Sequence, residues 1–229
     1  MRKLSGLLAV LLAVGAAAWY AVQRSPTLKE FAGRLPGVAR DTPVTRARAD
    51  SDTAWAFPPP GPAACGAHCG TERWAVKTLS DEDRNLVHLR PVQTTIEDLV
   101  ALVPPSHLPA FNRIAPTELT VYRVAARLAF LKQEEDKDWH LVLMSPRDST
   151  VTMIAEIPDP ECSGACSSGF AERFTSVRQV LFDRVNAPGG ERRPLIWITG
   201  VAFFDFLHHQ RGVAPNGIEL HPVLAVEFP

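Results

Sequence analysis

The sequence predicts a mainly β domain of the α+β class: five strands with one helix between the third and the fourth, and a short strand and helix ahead of them. Three observations carry this. Leu119 to Lys132 alternates, with Tyr122, Val124, Ala126, Leu128 and Phe130 apolar and Arg123 and Arg127 on the other side, the period-two pattern of a strand with one buried face. Trp139 to Ser145 and Thr150 to Ile157 follow as two shorter strand-like runs, stopped by Pro146-Arg147-Asp148 and Pro158-Asp159-Pro160. Phe170 to Val185 then puts Phe170, Phe174, Val177, Val180, Leu181 and Val185 on one helical stripe, as a helix facing a core requires. Two last strands follow Pro188-Gly189-Gly190: Leu195 to Phe206 and Ile218 to Phe228.

The connecting segments fit this order. Glu134 to Asp138 is a charged turn, and Pro215-Asn216-Gly217 is a tight connection into the last strand, because Asn-Gly adopts the positive φ such turns need. Nearer the N-terminus, Trp74, Val76 and Thr78 alternate with Arg73, Ala75 and Lys77, which predicts a short half-buried strand. Thr94-Thr95-Ile96-Glu97 reads as a capping box pairing Thr94 with Glu97, opening a helix through about Leu102 that Pro104-Pro105 stops.

Three strands, a helix and two strands, with a first strand long enough to bend across two sheets, is the order of an OB-type barrel. The chain resembles that fold from Leu119 to Phe228. Three segments, Cys69-Gly-Thr-Glu-Arg-Trp-Ala-Val-Lys77, Arg113-Ile-Ala-Pro116 and Val213-Ala-Pro-Asn-Gly-Ile-Glu-Leu-His-Pro222, are similar to segments of an uncharacterised family of exported bacterial proteins. That resemblance implies export and brings no established activity.

The chain ahead of the domain divides in two. Residues 1–24 join Arg2 and Lys3 to an uncharged apolar run from Leu4 to Val22, long enough to cross most of a bilayer core about 30 Å thick. Two readings stand: a membrane anchor with Trp19 and Tyr20 at the interface, or a signal peptide cut at Ala16-Ala17-Ala18. Either way the positive-inside rule leaves the remainder outside the cytoplasm. Residues 25–64 are rich in proline, from Pro26 through Pro58-Pro59-Pro60, without a sustained apolar period, and read as a semi-extended disordered tether. Residues 65–229 form the globular domain.

Four cysteines fall in two equally spaced pairs, Cys65/Cys69 and Cys162/Cys166. An even number in an exported chain argues for disulfides; a four-thiolate zinc site is the alternative, although such sites favour two residues between ligands over three. Bonds within a pair would close tiny loops, whereas bonds between pairs close loops of roughly 95 residues, for which chain entropy gives about 4–5 kcal/mol each. Antiparallel apposition joins Cys69 to Cys162 and Cys65 to Cys166.

Charge argues against one class of partner. Lys and Arg outnumber Asp and Glu eight to three in residues 1–50, but trail them 16 to 22 in the rest, and an acidic domain lacks the Lys/Arg footprint that nucleic acid demands. The expected partners are a membrane, through the N-terminal segment, and a protein of the cell envelope.

The densest group of reactive side chains is Asp205, His208, His209, Gln210, Asn216, Glu219 and His221. Strand alternation puts Glu219 and His221 on one face, and Asp205 ends the preceding strand where His208 can turn back toward them. Asp205, His208, Glu219 and His221 are the residue types that hold a divalent metal with positions open for water or substrate; the alternative is a polar loop anchored by hydrogen bonds from His221 and Asn216. His140, on a strand face with Val142 and Met144, reads as a satisfied, partly buried histidine. There is no Gly-x-Ser-x-Gly elbow, Walker loop or dinucleotide fingerprint, and no catalytic residue is assigned. The sequence reading is thus a non-enzymatic extracytoplasmic binding or interaction module, with a metal-dependent, nuclease-like hydrolase as the alternative.

Overall fold

The computed structural model describes residues 57–61, 65–208 and 210–229; the N-terminal segment, most of the proline-rich stretch and His209 lie outside them. Among the described residues no helix is long and apolar enough to cross a membrane. The elements are a helical turn α1 (Trp74–Lys77), strand β1 (His88–Thr94), helix α2 (Ile96–Val100), strands β2 (Thr120–Gln133), β3 (Trp139–Met144) and β4 (Thr152–Ile157), helix α3 (Ala171–Val185), and strands β5 (Leu195–Phe204) and β6 (Ile218–Glu227).

Strands β2 to β6 form a barrel in the order β2-β3-β4-β6-β5, closed by pairing of β5 with β2. The length of β2 makes closure possible: Val121 to Arg127 pair with β5, and Arg127 to Gln133 with β3. β4 runs parallel to β6, and β1 adds to β2 as a further parallel strand. The architecture is OB-like.

One set of alternating side chains fills the interior, including Val124, Ala126, Leu128, Leu141, Leu143, Met153, Ala155, Ile198, Leu220 and Val223. Helix α3 closes one side with Phe174, Val177 and Leu181, and the Phe170 ring stacks on Phe174 at 6.4 Å.

Two local readings need correction. Trp74 to Lys77 is a helical turn, not a strand: the six alternating residues Arg73 to Thr78 are too few to fix the period, and tertiary contacts decide it. Arg73 holds a positive φ of 55° ahead of the turn, while its guanidinium is buried on Glu118, and the Trp74 indole N–H donates to the Ser163 carbonyl at 2.7 Å. The cap of α2 is Thr95, whose hydroxyl accepts from the Asp98 N–H at 3.1 Å, one residue beyond Thr94. Glu97 is drawn off to accept a short hydrogen bond from the Ser145 hydroxyl.

The disulfides join Cys65 to Cys166 and Cys69 to Cys162, with no free cysteine among the described residues. They mark the domain as one that folds in an oxidising compartment outside the cytoplasm.

Candidate functional site

The site lies on the outer face of the barrel wall, opposite the apolar interior. Along β3, β4, β6 and β5 the register aligns Val142 with Ile154, Ile154 with Glu219, and Glu219 with Phe203. The next row pairs His140 with Glu156, and His221 follows Glu219 two residues on, facing the same way. In an OB-like barrel this wall would ordinarily meet solvent. Here it is roofed: His221 is 0% exposed, His140 1% and Glu219 3%.

Two segments form the roof. Turn α1 sets Arg73 over the Phe203 ring, 4.7 Å from its centroid, with the Lys77 ammonium at 5.4 Å. The loop between β5 and β6 lies over β2 and β3, where Arg211 covers the Phe130 ring. Gly212 approaches so closely that a Cβ there would fall 2.4 Å from Val142 Cγ1. The loop is itself fixed from the far side by Asn216, whose amide donates to the Leu99 and Leu102 carbonyls.

Under this roof a chain of charged groups runs inward from the surface. At the rim the His208 ring meets Glu72 at 3.0 Å, beside Asp205, which pairs with Lys77 at 2.9 Å. Burial alone would lower the Lys77 pKa, but the surrounding carboxylates of Asp205, Glu156 and Glu219 outweigh it and raise the pKa above the ordinary lysine range. Burial pushes the Glu219 carboxyl well up, and the neighbouring Glu156 and Asp205 push it further. Burial opposes ionisation of Glu156 too, yet the hydrogen bond from His140 and the charges of His221 and Lys77 hold it below the usual carboxylate range.

At the inner end His221 stands between two carboxylates. Its Nε2 lies 3.3 Å from Asp138 Oδ2 and its Nδ1 lies 3.3 Å from Glu156 Oε2, but neither ring nitrogen makes a hydrogen bond, and Asp138 Oδ2 makes none either. The other carboxylate oxygens are engaged: Glu156 Oε1 meets His140 Nδ1 at 2.9 Å, and Asp138 Oδ1 accepts from the Asp159 N–H at 3.2 Å. Burial raises the Asp138 pKa, against the stabilising neighbour His221.

The four residues named from sequence therefore occupy two places. Asp205 and His208 gather with Glu72 at the rim, and His221 gathers with Asp138 and Glu156 inside. Glu219 lies between them, close enough to feel Asp205, Lys77 and Glu156. Sequence reasoning passed over Asp138 and Glu156 as site residues, and took Glu72, Arg73 and Lys77 beside Trp74 for ion-pair residues with substrate binding as the alternative; Lys77 does pair, with Asp205. The available signal was Glu156, one ionisable residue in the otherwise apolar run Met153-Ile-Ala-Glu-Ile157. His140, read as a satisfied histidine, is that, and its partner is Glu156.

An open groove of about 470 Å³ lies elsewhere, between α3 and β6, lined by Phe170, Val177, Val180 and Leu224; none of its lining residues belongs to the polar face. No protein-family model, curated protein or solved structure matches this chain.

Proposed function

We propose that this chain is an extracytoplasmic binding module, carried out of the cytoplasm by residues 1–24 and spaced by residues 25–64, that takes a small cationic ligand on the roofed polar face of its barrel. One observation supports the reading: Asp138, Glu156, Glu219 and Asp205 converge on this face with a single lysine, Lys77, and two imidazoles. Burying that set costs more free energy than filling the same space with apolar side chains. A cation would offset the excess of carboxylates. The enclosure of His221 and Asp138 favours an ion-sized ligand over turnover of a larger substrate.

The three segments that resemble an uncharacterised family of exported bacterial proteins all contribute here. Cys69–Lys77 supplies Glu72, Arg73 and Lys77; Arg113 braces α1 through the Val76 carbonyl; Val213–Pro222 supplies Asn216, Glu219 and His221.

The test is a denaturant series on apo protein. Replacing the Lys77–Asp205 pair together, as Lys77→Met with Asp205→Leu, should leave stability unchanged or raise it by about 1–4 kcal/mol, while weakening the response of Tm to added cations. A destabilised double variant, in a protein whose Tm no cation moves, refutes the reading. Hydrolysis of phosphodiester, ester or peptide probes that disappears in His221→Gln would replace binding by catalysis.

A further inference from the structure

We propose that the inner end of this face holds one divalent transition-metal ion, ligated by a carboxylate oxygen of Asp138, a carboxylate oxygen of Glu156 and one ring nitrogen of His221. The inference rests on the reading of the face as a cation site and names its ligand. The three side chains offer donor atoms that all lie within 4.8 Å of one another, as donors do around a single ion about 2.0–2.2 Å from each.

The hydrogen-bond inventory points to the same atoms. The outward oxygens are taken, Glu156 Oε1 by His140 and Asp138 Oδ1 by the Asp159 backbone. The inward atoms, Asp138 Oδ2 and both nitrogens of His221, have no hydrogen-bond partner although His221 and Asp138 are 0% exposed. A buried polar atom left unpaired costs about 1–3 kcal/mol, and here the orphaned atoms of β6 and of the turn leading into β3 face one another. With an ion on one imidazole nitrogen, the other nitrogen, itself 3.3 Å from a carboxylate oxygen, donates to that oxygen, and such a contact fixes the tautomer of a metal-bound histidine.

His140 plays the corresponding part for Glu156, orienting the carboxylate without being a ligand. One nitrogen with two carboxylate oxygens suits Zn²⁺ or Mn²⁺ better than Mg²⁺ or Ca²⁺, which take oxygen donors. The rim end of this face, where Glu72 and His208 are exposed, is open to solvent.

The experiment uses the full-length chain with its disulfides intact, stripped with chelator and titrated with Zn²⁺, Mn²⁺, Mg²⁺ and Ca²⁺. About one Zn²⁺ or Mn²⁺ per chain should survive desalting, and a hundredfold excess over Kd should raise Tm by roughly 5–10 °C. In the unaltered protein the ring nitrogens of His221 should shift by NMR on adding Zn²⁺. Asp138→Asn and Glu156→Gln should weaken binding at least about tenfold, beyond which Glu72→Gln and His208→Ala should have little effect.

Metal binding that survives Asp138→Asn but is lost in Glu72→Gln with His208→Ala overturns the inference and puts the ion at the rim. No retained metal, with the His221 resonances unmoved, overturns it in favour of a histidine ring simply held between two carboxylates. In that event a Tm rise with spermidine would preserve the cation-binding face. Silence toward every cation, joined to a destabilised Lys77→Met/Asp205→Leu variant, removes both.

Discussion

Arg73 grips Glu118 with both terminal nitrogens, each 2.7 Å from a carboxylate oxygen, and the two side chains are 1% and 0% exposed. The same guanidinium donates to the Phe204 and Asn112 carbonyls, while Glu118 also accepts from the Ile114 and Phe204 N–H groups. This pair ties α1, the segment before β2 and the end of β5 into one unit, which aims Lys77 into the polar face. Glu118→Gln leaves a buried guanidinium without its counter-charge and should cost about 3–5 kcal/mol. Arg73→Lys should cost nearly as much, since an ammonium cannot make the paired contact. Urea unfolding monitored by circular dichroism checks both.

The two disulfides should be non-additive when removed one at a time and then together. Either Cys65→Ser with Cys166→Ser or Cys69→Ser with Cys162→Ser should cost about 2–5 kcal/mol. The second removal should cost more than the first, because each bond alone already confines nearly the same stretch of chain, residues 65–166 or 69–162. A double-mutant cycle in guanidinium chloride reads the difference.

Gly70→Ala should displace α1 without touching the barrel core. A Cβ at Gly70 would fall 2.0 Å from Trp74 Cε3, so the indole must move and give up its hydrogen bond to Ser163. The expected readout is a red-shifted, more quenchable tryptophan emission with far-ultraviolet circular dichroism little changed.

Asn216→Ala should strip the roof loop of its anchor. The side chain is 9% exposed and bonds two carbonyls of α2 and its end; leaving them unpaired should cost about 1–3 kcal/mol. Hydrogen exchange should then quicken in residues 205–217 more than in β2.

Acid should weaken the contact between Glu97 and Ser145. The hydrogen bond from Ser145 holds the Glu97 pKa below its usual 4.5, against the opposing effect of burial. A depressed folded-state pKa contributes stability above the unfolded value, which is lost as pH falls through the folded value. The stability gap between the native chain and Glu97→Gln should therefore be fully open at pH 7 and shrink below about pH 4.5. Urea midpoints measured across that range check the sign.

Much of the barrel was legible because its strands obey a single period and its turns carry proline or Asn-Gly. Tyr122 to Phe130 and Ile218 to Phe228 needed only alternation to be placed. Overlapping local signals were not decidable in that way: Thr94 and Thr95 stand before Glu97 and Asp98, so two capping registers compete, and Ser145, about fifty residues away, settles the choice. The site was half visible. Glu219 and His221 share a face by alternation alone, but Asp138 and Glu156 reach His221 only through the pairing of β3 with β4 and of β4 with β6. Pairing partners across long loops leave no periodic trace. Lys77 is further still from a linear reading, since its position depends on Arg73, Glu118 and a disulfide at once.

The bond between Cys65 and Cys166 also sets how the domain answers force. A pull on the chain ahead of Cys65 passes through two sulfur atoms to Cys166, five residues before the start of α3, and β1 to β4 lie in the bypassed loop. Tension between the termini can strip out only α3, β5 and β6 until the sulfurs are reduced. A molecule stretched from its ends should therefore lengthen in two instalments, the larger one withheld until a reductant arrives.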